Sequence, residues 1–95
     1  MVKVIWSELA IQDLKQIHEY ISLDSRFYAD RFIEKIITRV DQLESFQTSG
    51  RIVPEFANEQ IRELIEGNYR VVYKMFSDHV GIARVHHAAR LLKEI

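Results

Sequence analysis

Five polar side chains in the second half of the chain are of the types that cleave RNA. Cleavage needs a base for the 2′-hydroxyl proton, a cation to stabilise the phosphorane, and an acid to protonate the leaving 5′-oxygen. One carboxylate, two guanidinium groups and two imidazoles can supply them: Glu55, Arg62, Arg70, His86 and His87. No fixed spacing defines such a site. The alternative is that these are solvated strand residues in ordinary surface ion pairs, which contribute little to stability.

The histidines do not predict a metal site. Neighbouring strand residues point to opposite faces of a sheet, so His86 and His87 cannot easily share one ion. His18 and His79 belong to other elements and have no carboxylate motif beside them. The chain has no cysteine, which excludes disulfides and thiolate zinc ligands. It also has no glycine-rich phosphate loop and no serine elbow motif. We therefore expect neither a metal nor a cofactor.

Length, composition and charge indicate one small domain, residues 1–95, without a basic surface. Of the 95 residues, 47% are hydrophobic and 28% are charged, as in ordinary soluble proteins. The net charge of -1 argues against general binding to phosphate backbones, although a local basic patch remains compatible with it. There is no signal-peptide pattern, and no apolar run approaches the roughly 20 residues that span a bilayer. We expect a cytoplasmic protein that does not associate with membranes.

Three short runs of strand-forming residues follow one another in the C-terminal third. They cover residues 61–65, 69–75 and 80–87, with turn signals at Gly67-Asn68 and Ser77-Asp78. Strands joined by short turns usually pair antiparallel, so the pattern predicts a three-stranded meander. Arginines and histidines at alternating positions of adjacent strands can then collect on one face of the sheet.

Two amphipathic helices are predicted before the meander, at residues 7–22 and 25–46. Ser7 can cap the first, and Asp24 or Ser25 the second. Their apolar stripes are Ala10, Leu14, Ile17 and Ile21, then Ala29, Phe32, Ile36, Val40 and Leu43, with Ile33 and Ile37 widening the second. The short connection makes the helices antiparallel neighbours. With a strand at residues 2–6, the sequence predicts an α+β fold of order β-α-α-β-β-β: a helical hairpin packed on a small antiparallel sheet.

Five segments carry a family resemblance when taken in order: VIWSELAIQDLKQIHEYI, GRIVPEF, IREL, NYRVVYK and ARVHHAARLL. Each is a loose pattern, but their order and spacing resemble the RelE/ParE superfamily of toxins from type II toxin–antitoxin systems over essentially the whole chain. The resemblance implies a helical hairpin packed on a curved antiparallel sheet, in agreement with the order above. It also implies a cognate antitoxin protein as partner, in a toxin–antitoxin hetero-oligomer of the kind linked to plasmid stabilisation.

The branches of this superfamily differ in their targets. RelE-like members cleave mRNA in the ribosomal A site, while ParE-like members act on DNA gyrase and stall it on cleaved DNA. The VPEF, IREL and HxxR elements look more like the ParE branch. The resemblance therefore implies growth arrest through gyrase, and the cations late in the chain become the candidate target-binding residues: Arg84, His87 and Arg90.

A nuclease remains the alternative, with the ribosome and mRNA as targets. Arg70 matches a position that carries a phosphate-contacting arginine in RelE-like enzymes, and Arg62 lies near their basic residues on the preceding strand. Another nuclease branch uses a Glu, Arg and His set, which Glu55, Arg70 and His86 or His87 can imitate. The lysine-rich strand and the C-terminal tyrosine of the best-known RelE type are missing here. A third alternative is an inactive toxin fold that only binds its antitoxin.

Overall fold

The helices and strands follow the predicted order in the computed structural model, which describes residues 1–89. The elements are β1 (Lys3–Trp6), α1 (Glu8–Ser22), α2 (Arg26–Asp41), β2 (Arg51–Ile52), β3 (Ile61–Glu66), β4 (Tyr69–Met75) and β5 (His79–His87). The α+β architecture of two helices on a sheet is confirmed, with the two-residue strand β2 added before the meander. The sequence also allows a short helical tail at residues 88–95, and this segment lies almost wholly outside the described residues.

Serine side chains begin both helices. The hydroxyl of Ser7 accepts a hydrogen bond from the Ala10 amide at 3.0 Å, and that of Ser25 accepts one from the Tyr28 amide at 3.2 Å. Each bond satisfies an N–H group that has no partner within the helix. The α2 helix ends at Asp41, five residues before the predicted end, because the chain tightens there into a 3-10 turn at Gln42–Glu44.

The core lies between the helical hairpin and one face of the sheet. Its buried residues are Ala10, Ile17, Ile36, Val40 and Leu43 from the helical side, and Leu64, Val71, Tyr73, Val80, Ile82 and Val85 from the sheet. Both predicted stripes therefore face the sheet. Ile37 is the exception: its side chain is 41% exposed, so it does not widen the stripe as predicted.

The sheet is mixed rather than purely antiparallel. Its strand order is β1-β5-β4-β3-β2, and β1 runs parallel to β5 while the other pairs are antiparallel. The prediction of a wholly antiparallel sheet was wrong for this one pair. Adjacent strands joined by short turns must alternate in direction, but β1 and β5 are separated by the helical hairpin and the meander. Such a long connection permits parallel pairing.

The other face of the sheet carries a smaller apolar cluster under the loop that follows β2. Val53 and Phe56 of this loop pack against Ile61 on β3 and Val72 on β4. The loop therefore lies over the face opposite the helices. In the described part of the chain, no helix is long and apolar enough to cross a membrane.

Candidate functional site

A buried network of charged side chains lies on the sheet face opposite the helices, with Arg70 at its centre. The Arg70 Nε donates to Glu63 Oε1 at 2.6 Å, while Nη1 and Nη2 donate to the two oxygens of Glu55 at 2.7 and 2.9 Å. Arg51 Nε donates to the other Glu63 oxygen at 2.6 Å. The paired bonds from Arg70 to Glu55 have the planar fork geometry in which guanidinium and carboxylate groups bind most strongly.

Three different segments supply these side chains. Glu63 lies on β3, Arg70 on β4, and Glu55 on the loop after β2. In the sheet register, Arg51 of β2 lies directly opposite Glu63, which brings their side chains to one face. The network therefore ties the loop and the edge strand β2 to the centre of the sheet.

The centre of the network is enclosed, and its guanidinium and carboxylate charges balance. The Arg70 and Glu63 side chains are 5% and 0% exposed, and Glu55 is 18% exposed. Two guanidinium groups oppose two carboxylates. The hydrogen bond to Glu55 is the largest cause that raises the pKa of Arg70, and the bond to Glu63 adds to it, while burial works in the opposite direction. Arg70 is thus held in its charged form by partners that occupy its guanidinium.

The structure brings three of the five predicted nuclease residues together. Glu55 contacts Arg70 directly, and His86 on β5 is the cross-strand partner of Arg70 and is buried. Arg62 lies elsewhere, since it donates at 3.1 Å to the backbone carbonyls of both Glu59 and Gly50. His87, one residue beyond His86, points to the opposite face and is exposed at the end of β5.

A carboxylate, a guanidinium and an imidazole in one place are the right groups for RNA cleavage, but Arg70 is already bonded on both sides. A phosphate that approached it would have to displace the Glu55 carboxylate from the guanidinium. Within residues 1–89, no group of three or more histidine, aspartate or glutamate side chains lies close enough to hold a metal ion. The arrangement as it stands is best suited to holding three chain segments together.

Arg84, a predicted target-binding residue, lies at the edge of the sheet beside α1. Its Nε and Nη2 donate to Asp13 at 2.9 and 3.1 Å, and its side chain is 32% exposed. His87 points to the other face of β5, and its ring meets Tyr69 edge to face with the ring centroids 5.7 Å apart. Arg90 lies outside the described residues. Arg84 and His87 therefore do not form one patch with each other.

Sequence reasoning recognised Glu55 but missed two other carboxylates that hold these arginines, Glu63 at Arg70 and Asp13 at Arg84. Asp13 is three residues after Ala10 and four before Ile17, so it occupies a position of the apolar stripe of α1. Glu63 is the second residue after the buried Ile61, so it lies on the same face of β3. A charged residue at a core position needs a buried partner, and this signal was available in the sequence.

The helical hairpin exposes an unusual share of apolar surface. Seven of the thirteen exposed large hydrophobic side chains in residues 1–89 lie on it: Leu9, Ile11, Tyr20, Leu23, Phe27, Tyr28 and Ile37. A groove of about 640 Å³ runs along one side of α2, where Tyr28 and Phe32 alternate with the cations Arg31, Lys35 and Arg39. Exposed apolar surface bordered by charge is typical of a surface that binds another protein.

Comparison with known proteins places the chain in a defined group. Residues 4–92 match the family model of the ParE toxin of the type II toxin–antitoxin system parDE. The chain is 34% identical over 92 residues to toxin RelE2 of Caulobacter vibrioides, which covers 96% of this chain and 100% of that protein.

Two solved structures share the fold. The chromosomal ParDE toxin–antitoxin system from P. aeruginosa aligns with a TM-score of 0.76 at 21% identity, over 92% of this chain and 96% of that one. The YoeB–YefM complex from Staphylococcus aureus aligns with a TM-score of 0.56 at 15% identity, over 92% and 97%. At these identities the likeness concerns the fold alone, and it agrees with the two helices and mixed sheet described above.

Proposed function

Since the chain belongs to the ParE toxin family of type II toxin–antitoxin systems, we propose that it arrests bacterial growth by inhibiting DNA gyrase and that a cognate antitoxin neutralises it. The names of its relatives support two targets, because the family model describes a ParE toxin while a 34% identical relative has a RelE name. The choice between gyrase and mRNA therefore depends on the chemistry of the chain itself.

The observation that carries the proposal is the state of Arg70. A nuclease needs a cation that is free to meet the phosphorane in the transition state. The Arg70 side chain is 5% exposed, and its donors are bonded to the carboxylates of Glu55 and Glu63. With a net charge of -1, the chain also lacks the general attraction for phosphate that a ribosome-dependent nuclease is expected to need.

The target surface that we propose is built from the end of β5 and the residues that follow it. His87 is exposed there and Arg90 follows three residues later, so these two are the candidates for direct contact. Arg84 belongs to the same segment, but its guanidinium is bonded to Asp13. A few arginine and aromatic anchors can supply most of the energy of a protein interface, so a small surface is sufficient.

The antitoxin surface that we propose is the helical hairpin with the groove along α2. The groove combines aromatic side chains with three cations, Arg31, Lys35 and Arg39, and one carboxylate, Glu34. A second carboxylate, Glu66, lies 3.4 Å from both Lys35 and Arg39, so positive charge predominates along the groove. An amphipathic segment with acidic residues beside its apolar ones complements this surface. The two structural relatives are described as toxin–antitoxin systems or complexes, which supports a partner of this kind.

Charge reversal tests the antitoxin surface. We expect Lys35→Glu to weaken binding of the cognate antitoxin by about tenfold at low salt, and the loss to shrink as salt is added. Lys3→Glu is the matched control, since Lys3 is exposed on β1, away from the hairpin. Titration calorimetry with the separated antitoxin measures its affinity for each variant. The proposed surface is wrong if the antitoxin fails to bind the unmodified chain, or if both variants lose the same amount of affinity for it.

An mRNA endoribonuclease is the second candidate function, because Glu55, Arg70 and His86 do lie together. For this mechanism the Arg70 guanidinium would have to leave Glu55 when RNA binds. The two candidates make different products, namely broken DNA or cut messages.

Purified gyrase with plasmid DNA, and translating ribosomes with a defined mRNA, are the paired assays that separate the two functions. We expect DNA breaks trapped by gyrase in the first and intact mRNA in the second. Cuts in the mRNA that depend on ribosomes, with gyrase unaffected, would overturn our proposal and establish the nuclease.

A further inference from the structure

The edge of β5 changes its partner halfway along the strand. Pairing with β1 ends where Trp6 lies opposite Ile82. From there the start of α1 takes over: the Ser7 amide donates to the Ile82 carbonyl and the Ser7 hydroxyl donates to the Ala83 carbonyl, both at 2.9 Å. The second half of β5 therefore has a helix beside it in place of a strand.

Asp13 continues this substitution nearly two turns further along α1. Its Oδ2 accepts a hydrogen bond from the Val85 amide at 2.9 Å and another from Arg84 Nε at 2.9 Å. Its Oδ1 accepts a third bond from Arg84 Nη2 at 3.1 Å. Asp13 is 9% exposed and Val85 is 1% exposed, so water cannot easily replace this acceptor. The hydrogen bond from Arg84 to Asp13 is also the main cause that raises the pKa of Arg84.

The β5 strand is irregular between Ile82 and Arg84, where it passes from β1 to α1. In the pairing with β4, Val72 lies opposite Arg84 while the next residue, Tyr73, lies opposite Ile82. Ala83 is therefore an extra residue, a β-bulge. A bulge bends a strand and interrupts its hydrogen-bond ladder. Beyond the bulge, residues 84–87 stay paired with β4 along one edge, and along the other edge the Val85 amide is held by Asp13.

We propose that Asp13 is a positioning residue, which sets the course of the end of β5 and thereby presents His87 to the target. This inference rests on the proposed function, in which that end of the chain contacts the target. It adds a residue on α1 that acts through the backbone of β5 and touches neither partner. Because the Asp13 side chain is buried against β5 and is not part of the exposed hairpin surface proposed for the antitoxin, removal of its carboxylate should weaken toxicity without weakening antitoxin binding.

The test compares Asp13→Ala and Asp13→Asn with Asp41→Asn, a control at an exposed position of α2. Three quantities are measured: hydrogen exchange of the Val85 amide, the expression level that arrests growth, and affinity for the purified antitoxin. For Asp13→Ala we expect exchange at Val85 and the arresting expression level each to rise about tenfold or more, with antitoxin affinity unchanged. Asn keeps an acceptor for the amide, so it should restore most of the protection and much of the activity.

Two results would overturn the inference. The first is full growth arrest by Asp13→Ala after protection at Val85 has been lost. The second is an equal loss of arrest and of antitoxin affinity, which would mean that the change damages α1 generally. If Asp13→Ala does not fold, Arg84→Gln removes the bidentate partner and leaves the Asp13–Val85 bond, and it should cause a smaller loss of arrest in the same direction. Since the readout is growth arrest, a chain that kills without affecting gyrase contradicts the proposed target but not this inference.

Discussion

Arg70 and Arg84 lie on neighbouring strands, and each forks onto a carboxylate, yet their surroundings differ. Arg70 is 5% exposed and holds two carboxylates from separate segments, Glu55 and Glu63. Arg84 is 32% exposed and holds one, Asp13 of α1, at the edge of the sheet. The first arginine is enclosed within the fold, while the second joins the sheet edge to a helix close to solvent. An arginine in a candidate toxin site therefore has to be judged by its partners and not by its position in the sequence alone.

The largest effect that the comparison predicts is the loss of Arg70. We expect Arg70→Ala to lower the free energy of unfolding by about 3–5 kcal/mol, because it removes the buried cation that binds both Glu63 and Glu55 and leaves Glu63 with only the exposed Arg51. Denaturation by urea, followed by circular dichroism, measures this loss. A loss below about 1 kcal/mol would show that the network does not hold the fold and that Arg70 is retained for another purpose.

A buried apolar residue provides a reference for the loss of stability expected at Arg70. Ile36 is completely buried between α2 and the sheet. We expect Ile36→Ala to lower the free energy of unfolding by about 2–5 kcal/mol, because apolar burial is lost and a cavity remains. The same urea denaturation then ranks the ionic network against the core. If Ile36→Ala costs less than about 1 kcal/mol, the apolar stripe of α2 has been misplaced.

Removal of Arg84 should lower the free energy of unfolding by less than removal of Arg70. Arg84→Ala leaves Asp13 bonded to the Val85 amide, and the lost pair was partly exposed, so we expect a loss of about 1–2 kcal/mol. If Arg84→Ala and Arg70→Ala prove equally costly in urea denaturation, the distinction between the two sites fails.

The smallest effect is expected at the outer end of the buried network. The Arg51 side chain is 62% exposed, although it contacts the buried Glu63 at 2.6 Å. Because Glu63 keeps its bond to Arg70, we expect Arg51→Ala to lower the free energy of unfolding by less than about 1 kcal/mol. A larger loss in the same assay would show that the balance of two positive and two negative charges matters more than burial.

The sequence was sufficient for the elements that have a regular pattern. The stripe through Ile36 and Val40 follows helical spacing, and Ser7 and Ser25 are typical helix caps. Both helix starts and the end of α1 were therefore predicted closely, while the end of α2 was placed five residues too late. The meander followed from its turn signals. The parallel pairing of β1 with β5 was not predictable in this way, because no local pattern specifies which edge a distant strand will join.

The site was harder to predict than the fold. Glu55, Arg70 and His86 were recognised as candidate site residues, and the structure brings them together. Their burial was not predicted, since it depends on the loop after β2 lying over this face. The partners Glu63 and Asp13 were overlooked because a carboxylate in an apolar pattern is easily taken for a solvated residue.

Growth arrest by Glu55→Gln tests whether the Arg70 network maintains the fold while the target surface lies elsewhere. Gln keeps the shape of Glu55 and one acceptor for Arg70, but it cannot serve as a base. At equal amounts of folded protein, we predict growth arrest within about twofold of the unmodified chain. If Glu55 is instead the base of a nuclease, arrest will fall by a factor of about ten to ten thousand, and that result would contradict our account.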